Sequence, residues 1–216
     1  MNRMEYGRIE SFINSYIPED EDNLEEIYRQ ARLDGVPVIR RTTKELIKTI
    51  LMMKKPDSIL EIGTAVGYSA LFMSKIMGES THITTIELDK ERAHTAMANI
   101  ERLGRSQNIY VINADASEAL KELPDASYDL IFVDAAKGQY INYYEEVLRL
   151  AKKDAVIISD NILQDGEVLE SHFTVEKRNR TIHDRIREYL YLIMHDDRVE
   201  SSILSVGDGV SISIKK

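Results

Sequence analysis

The sequence contains no cysteine and no tryptophan, and only four prolines, Pro18, Pro37, Pro56 and Pro124. Without cysteine there is no disulfide framework, zinc–thiolate site, iron–sulfur cluster or thiol nucleophile, so any catalysis must use oxygen and nitrogen groups. The prolines are scattered between segments and no repeat or low-complexity tract is present. That argues for a single domain over residues 1–216. No stretch approaches the roughly 18 consecutive apolar residues of a membrane span, and MNRMEYGRIESF lacks the basic segment, apolar run and cleavage site of an export signal. The expectation is a soluble, cytoplasmic protein with no membrane contact. Positive charge is in deficit: 28 Lys and Arg against 37 Asp and Glu leave a net charge of −9. Binding of nucleic acid by bulk charge is disfavoured, although a local basic face is not.

With 216 residues, 43% of them apolar, the chain is long enough to bury about 70% of its unfolded surface. The first 55 residues read as helices only, over Tyr6 to Tyr16, Asn23 to Leu33 and Thr42 to Met53, and form a helical N-terminal extension (1–55). From 56 to 216 the β-branched runs SILEI, HITTIEL, NIYVIN, YDLIFVD and AVIISD alternate with helical stretches. This is the pattern of an α/β fold whose parallel sheet is covered on both faces. After a helix near Ile182 to Met194 come ESSILSV and GVSISIK, and the intervening Asp208-Gly209 signals an antiparallel hairpin.

Residues Glu61 to Ser69, EIGTAVGYS, join the first strand to the first crossover helix. Their glycines let backbone pass close to a ligand, but G-x-G-x-x-G is not met and a Walker lysine is missing. A plain strand-to-helix turn is the alternative. Glu87, at the next strand end, can accept from both ribose hydroxyls. Asn113, Asp115 and Ala116, at the third, can meet an adenine edge. Asp134, at the end of the fourth strand, and Asp160-Asn161, at the end of the fifth, bring together two carboxylates and a carboxamide. That is a hard oxygen set suited to Mg²⁺, with Ca²⁺ or Mn²⁺ as alternatives. The plainer reading is a helix cap and a turn.

The pattern Glu61-x-Gly63-x-x-x-Gly67 resembles the first motif of class I S-adenosylmethionine-dependent methyltransferases, whose cofactor is a sulfonium without phosphate. A nicotinamide-dependent oxidoreductase is the alternative, and the missing third glycine counts against it. Asp134, Lys137, Asp160 and Asn161 resemble the pattern of the metal-dependent O-methyltransferases of catechol and caffeoyl-CoA type, over roughly residues 35–216. The resemblance implies a Rossmann-like seven-stranded sheet in the order 3-2-1-4-5-7-6 with the last strand antiparallel. It implies cofactor contacts from Ile39, Glu61, Gly63, Gly67, Ser69, Glu87, Asp115, Ala116 and Asp134, metal ligation by Asp134, Asp160 and Asn161, and catalysis by Lys137 with Asp134.

Methyl transfer to oxygen needs a nucleophile aligned with the sulfur–methyl bond, and a cation both orients a hydroxyl and acidifies it. Lys137, three residues after Asp134, can take up the proton or steady the oxyanion; an ordinary surface lysine is the alternative. Two vicinal oxygens would fill two metal positions, so a catechol-like pair is expected on the substrate. Arg40 and Arg41 lie beside the expected site, and from His172 to Arg187 five basic residues face two acidic ones. Arg40, Arg41, Lys177, Arg178 and Arg180 are therefore candidate RNA contacts, with a solvated helix start as the alternative. The stretches DAAKGQY (134–140), KRNR (177–180) and VGDG (206–209) resemble the bacterial tRNA 5-hydroxyuridine methyltransferases. This implies the wobble base of a tRNA anticodon loop as acceptor, with its 5-hydroxyl and O4 as the vicinal pair and 5-methoxyuridine as product. Tyr140, Tyr143 and Tyr144 are candidates to stack on that base, or else a buried helix face. A small phenolic substrate, and a non-catalytic RNA- or partner-binding protein, are the alternatives. The helical extension, with little sheet to cover, makes a homodimer the expected assembly.

Overall fold

The structure, a computed structural model, describes residues 3–216, with side chains from Gly7 onward. Three helices, α1 (Arg3–Asn14), α2 (Asp22–Leu33) and α3 (Arg41–Lys54), lead into β1 (Ser58–Ile62). Strands and helices then alternate through α4 (Tyr68–Met77), β2 (His82–Glu87), α5 (Lys90–Arg102), β3 (Ile109–Asn113), α6 (Ala116–Glu122), β4 (Tyr128–Val133), α7 (Tyr140–Leu150) and β5 (Ala151–Ser159). Helix α8 (Arg180–His195) and the pair β6 (Val199–Leu204) and β7 (Val210–Lys215) follow.

The described residues form one seven-stranded sheet in the order β3-β2-β1-β4-β5-β7-β6, as expected. All pairs are parallel except those of β7, which runs antiparallel to both β5 and β6. Successive side chains alternate across the sheet. Leu60, Ile131 and Ile157 enter the core beneath α6, α7 and α8, while Ile59, Leu130, Phe132 and Ile158 enter the opposite core. Burial on both faces is why these strands read as unbroken apolar runs.

The helices α2 and α3 of the N-terminal extension pack against the sheet. Leu24 and Ile27 of α2 and Ile47 and Leu51 of α3 pack with Ile59, Leu130 and Phe132. Central strands need apolar cover on both faces, and α2 and α3 supply part of it. Truncating Ile47 or Leu51, both fully buried, would cost about 2–5 kcal/mol. Polar ties add to this, since Asp20 accepts from the buried Lys44 at 2.8 Å and from the Tyr68 hydroxyl at 2.6 Å. Strand β5 starts at Ala151, four residues before the apolar run, because Ala151 already pairs with Tyr128 ahead of an irregularity in the β4 register. Among the described residues no helix is long and apolar enough to cross a membrane.

Candidate active site

The turn after β1 closes directly on the end of β4. Gly63 has φ +103°, and a Cβ there would lie 2.1 Å from the carbonyl oxygen of Asp134. Glycine is required at 63 by both the backbone angle and the close approach. The ends of β1 and β4 are also stitched by Asp134 N–H donating to Ile62 O, and the turn is tied to β2 by Gly63 N–H donating to Ile86 O, each at 2.9 Å. Gly67, also at positive φ, precedes the first residue of α4, and its missing Cβ leaves room for Ala96 of α5. It serves the helix start and helix packing.

A cavity of about 760 Å³ opens at the carboxyl ends of β1 to β4, where open α/β sheets bind ligands. Of the residues expected to meet a cofactor, Ile39, Gly63, Ser69, Glu87, Asp115, Ala116 and Asp134 line it. Gly67 and Glu61 do not. Glu61 lies fully buried behind the wall and accepts from Thr85 Oγ1 at 2.6 Å. Burial pushes its carboxyl up to about 8, against the hydrogen bonds of Ser69 and Thr85. Its position after a buried strand residue, rather than at the strand tip, turns it away from the cavity. Glu87 accepts from Ala65 N at 2.8 Å through one oxygen and from Asp89 N at 2.9 Å through the other. Each oxygen keeps a lone pair for a further donor. The charged lining is mainly acidic, with Glu87, Asp89, Asp115, Asp134, Asp165 and Asp208 against Arg40, Arg92 and Lys137. Such a wall suits a cationic ligand better than a phosphate.

The three expected metal ligands come together. Asn161, at φ +59°, donates its amide to Asp134 Oδ1 at 2.7 Å, and its backbone N–H donates to Asp160 Oδ1 at 2.8 Å. Asp134 and Asn161 line the cavity, whereas Asp160 is 1% exposed beneath them. Burial raises both carboxyls above the ordinary range, opposed at Asp134 by the Asn161 hydrogen bond and the Lys137 charge. The charge of Asp134 lifts Asp160 further. Tyr140 donates to Asp160 O at 2.8 Å and so braces this loop from the core.

Lys137 reaches the cavity, and Asp208 holds it there by accepting from Nζ at 3.1 Å. Asp208, 5% exposed, also accepts from Asp165 N at 2.5 Å. The sequence marks Asp208 as a hairpin turn residue and as part of the VGDG stretch, and no local pattern links it to Lys137. Tyr140 and Tyr144 are core residues packed edge-on against Tyr189 and are unavailable for stacking. Tyr143 alone of the three lines the cavity.

The candidate RNA contacts divide. Arg40 lines the cavity but is paired with Asp165 at 2.8 Å and Glu10 at 3.2 Å. Arg41 bonds Glu25 at 2.7 Å and lies over the Tyr28 ring, away from the cavity. Arg180 donates to the carbonyls of Val175 and Phe173. Those three guanidiniums are committed within the chain, to acceptors that a count of charges does not reveal. Lys177 and Arg178 stand exposed, with Arg178 beside Glu176 at 2.8 Å.

Residues 16–216 match the O-methyltransferase family. The chain belongs to that family. Among relatives of this O-methyltransferase, the catechol O-methyltransferase of Niastella koreensis is 27% identical over 179 residues, 81% of each chain. The caffeoyl-CoA O-methyltransferase of Stellaria longipes is 28% identical over 207 residues, 91% of this chain and 85% of the other. In fold, the enzyme is similar to the methyltransferase PaMTH1 of Podospora anserina, with a TM-score of 0.88, 24% identity, and 100% and 97% of the two chains covered.

Proposed function

We propose that the protein transfers a methyl group from S-adenosylmethionine, with the help of Mg²⁺, to the 5-hydroxyl of 5-hydroxyuridine in a tRNA anticodon loop. The observation that carries the chemistry is the position of Asp134. It lines the cavity, accepts from Asn161 and lies three residues from Lys137.

The donor set fits a hard divalent cation, because Asp134 and Asp160 are buried side by side with raised pKa values that a cation would relieve. Ligation by Asn161 through Oδ1 requires its amide to turn over from the present bond to Asp134. When bound there, Mg²⁺ supplies charge that lowers the pKa of an acceptor hydroxyl. S-adenosylmethionine, also reported with the solved O-methyltransferase TomG of Streptomyces achromogenes, supplies the methyl group on a sulfonium. The chain's own residues do the rest. Glu87 has acceptor capacity for two ribose hydroxyls, the acidic wall favours the sulfonium charge, and Lys137, steadied by Asp208, offers its ammonium to the developing oxyanion.

The tRNA acceptor is supported by the vicinal oxygens of 5-hydroxyuridine and by exposed Lys177 and Arg178. A second reading, a small catechol-like phenol, is supported by the relatives named for catechol and caffeoyl-CoA and by the internal pairing of Arg40, Arg41 and Arg180. The test is incubation with methyl-labelled S-adenosylmethionine and Mg²⁺, with tRNA bearing 5-hydroxyuridine or with a catechol. Label in 5-methoxyuridine is the expected result. Label in the catechol alone would replace the tRNA reading by the second, and label in neither would overturn both.

A further inference from the structure

Away from the cavity, the side chains of His172, His183 and Asp184 converge, with one ligand atom from each within 4.8 Å of the others. His172 Nδ1 and His183 Nδ1 lie 2.9 and 3.0 Å from the same oxygen, Asp184 Oδ1. The other ring nitrogen of His183, Nε2, lies 3.1 Å from the carbonyl oxygen of Glu170. A carbonyl only accepts, so Nε2 carries the N–H. That leaves Nδ1 as the ring atom turned toward the carboxylate oxygen, where His172 Nδ1 also points. His183 is 1% exposed, which fixes its ring in place.

We propose that His172 Nδ1, His183 Nδ1 and Asp184 bind a transition-metal ion of the Zn²⁺ class, at a site separate from the oxygen cluster of Asp134. Two imidazoles and a carboxylate select Zn²⁺ over Mg²⁺. Ligands about 2.0–2.1 Å from a tetrahedral ion stand about 3.3 Å apart, so the 2.9 and 3.0 Å spacings to Asp184 Oδ1 need to open by a few tenths of an ångström, and the three ligand atoms lie within 4.8 Å of one another. The Nε2–H bond to Glu170 is the kind of outer contact that orients a ligating histidine. His172 and Asp184 keep 41% and 54% of their side chains exposed, leaving a path for the ion and room for water as a fourth ligand.

The ion would close a loop from residue 172 to residue 183 that contains Lys177, Arg178 and Arg180. It would also seat that loop on α8, whose Arg185 donates to Gly138 O at 3.1 Å next to Lys137. The site therefore ties the exposed basic stretch to the helix that buttresses the catalytic turn.

The test uses the full chain stripped with chelator and titrated with Zn²⁺, and with Co²⁺ as a spectroscopic probe, in excess Mg²⁺. One equivalent should bind, with visible Co²⁺ bands of tetrahedral nitrogen and oxygen ligation and a higher melting temperature. The surface variants His172→Ala and Asp184→Ala should each weaken binding at least about tenfold and abolish the melting shift, while Asp160→Asn keeps both. No Zn²⁺ binding by the wild type would show that a proton alone bridges the cluster and would overturn the proposal. Binding unchanged in His172→Ala and Asp184→Ala, or lost in Asp160→Asn, would overturn it as well.

Discussion

The Lys137 ammonium donates to the Asp208 carboxylate across 3.1 Å, joining residues 71 positions apart. One partner sits in the turn after β4 and the other in the β6–β7 hairpin, and the pair meets because β7 inserts beside β5. Asp208 is nearly buried and receives a second bond from Asp165 N, so it orients the lysine rather than merely neutralising it.

Asp208→Asn keeps the shape and removes the charge. A hydrogen bond to a charged group contributes about 1.5–3 kcal/mol, so kcat should fall about 10- to 100-fold, with little change in affinity for S-adenosylmethionine. Steady-state kinetics and calorimetric titration separate the two effects, and an unchanged kcat would show that Lys137 acts without this partner.

Asp160 lies beneath the cavity lining and is not among the residues that line it. Asp160→Ala should therefore eliminate methyl transfer while S-adenosylmethionine still binds, and excess EDTA should do the same to the wild type. Full turnover in EDTA would remove the metal from the mechanism.

Gly63→Ala places a methyl group 2.1 Å from the Asp134 carbonyl at a positive φ. Overpacking of this kind costs about 1–3 kcal/mol, and the shift in Asp134 should weaken cofactor binding as well. Gly138→Ala is the control, since its Cβ would meet Ile182 at an ordinary 3.6 Å. Urea denaturation of the two variants should separate them; equal midpoints would contradict the close approach.

The Arg198 guanidinium beside Asp196 holds that carboxyl down at about 2, from an ordinary 3.8. A carboxyl with a depressed folded pKa stabilises above its unfolded value and loses that contribution as pH falls through the folded one. The contribution is thus complete above about pH 4 and gone below about pH 2. Arg198→Gln should lower stability at neutral pH and flatten its decline across that window, measured by denaturant midpoints at each pH.

The strands were legible because each is buried on both faces, so SILEI, YDLIFVD and AVIISD carry their own signal whatever lies next to them. The strand-end residues Glu87, Asp134, Asp160 and Asn161 were legible too, because a parallel sheet delivers its carboxyl ends to one side and sequence position fixes which residues stand there. Gly63 and Gly67 stood out as turn glycines, yet sequence could not separate the one that abuts Asp134 from the one that admits Ala96. Nor could it show Glu61 turned behind the cavity wall.

By itself, the sequence determined the absence of cysteine thiols and the α/β order of elements, since each follows from residue type and local spacing. Tertiary structure alone decided the Lys137–Asp208 pair, the Glu25, Glu10 and Asp165 partners that occupy Arg41 and Arg40, and the convergence of His172 with His183 and Asp184. Those contacts join segments whose separation along the chain carries no information about distance in space. A charge reads the same in a sequence whether it meets water or a partner, and only packing chooses between them.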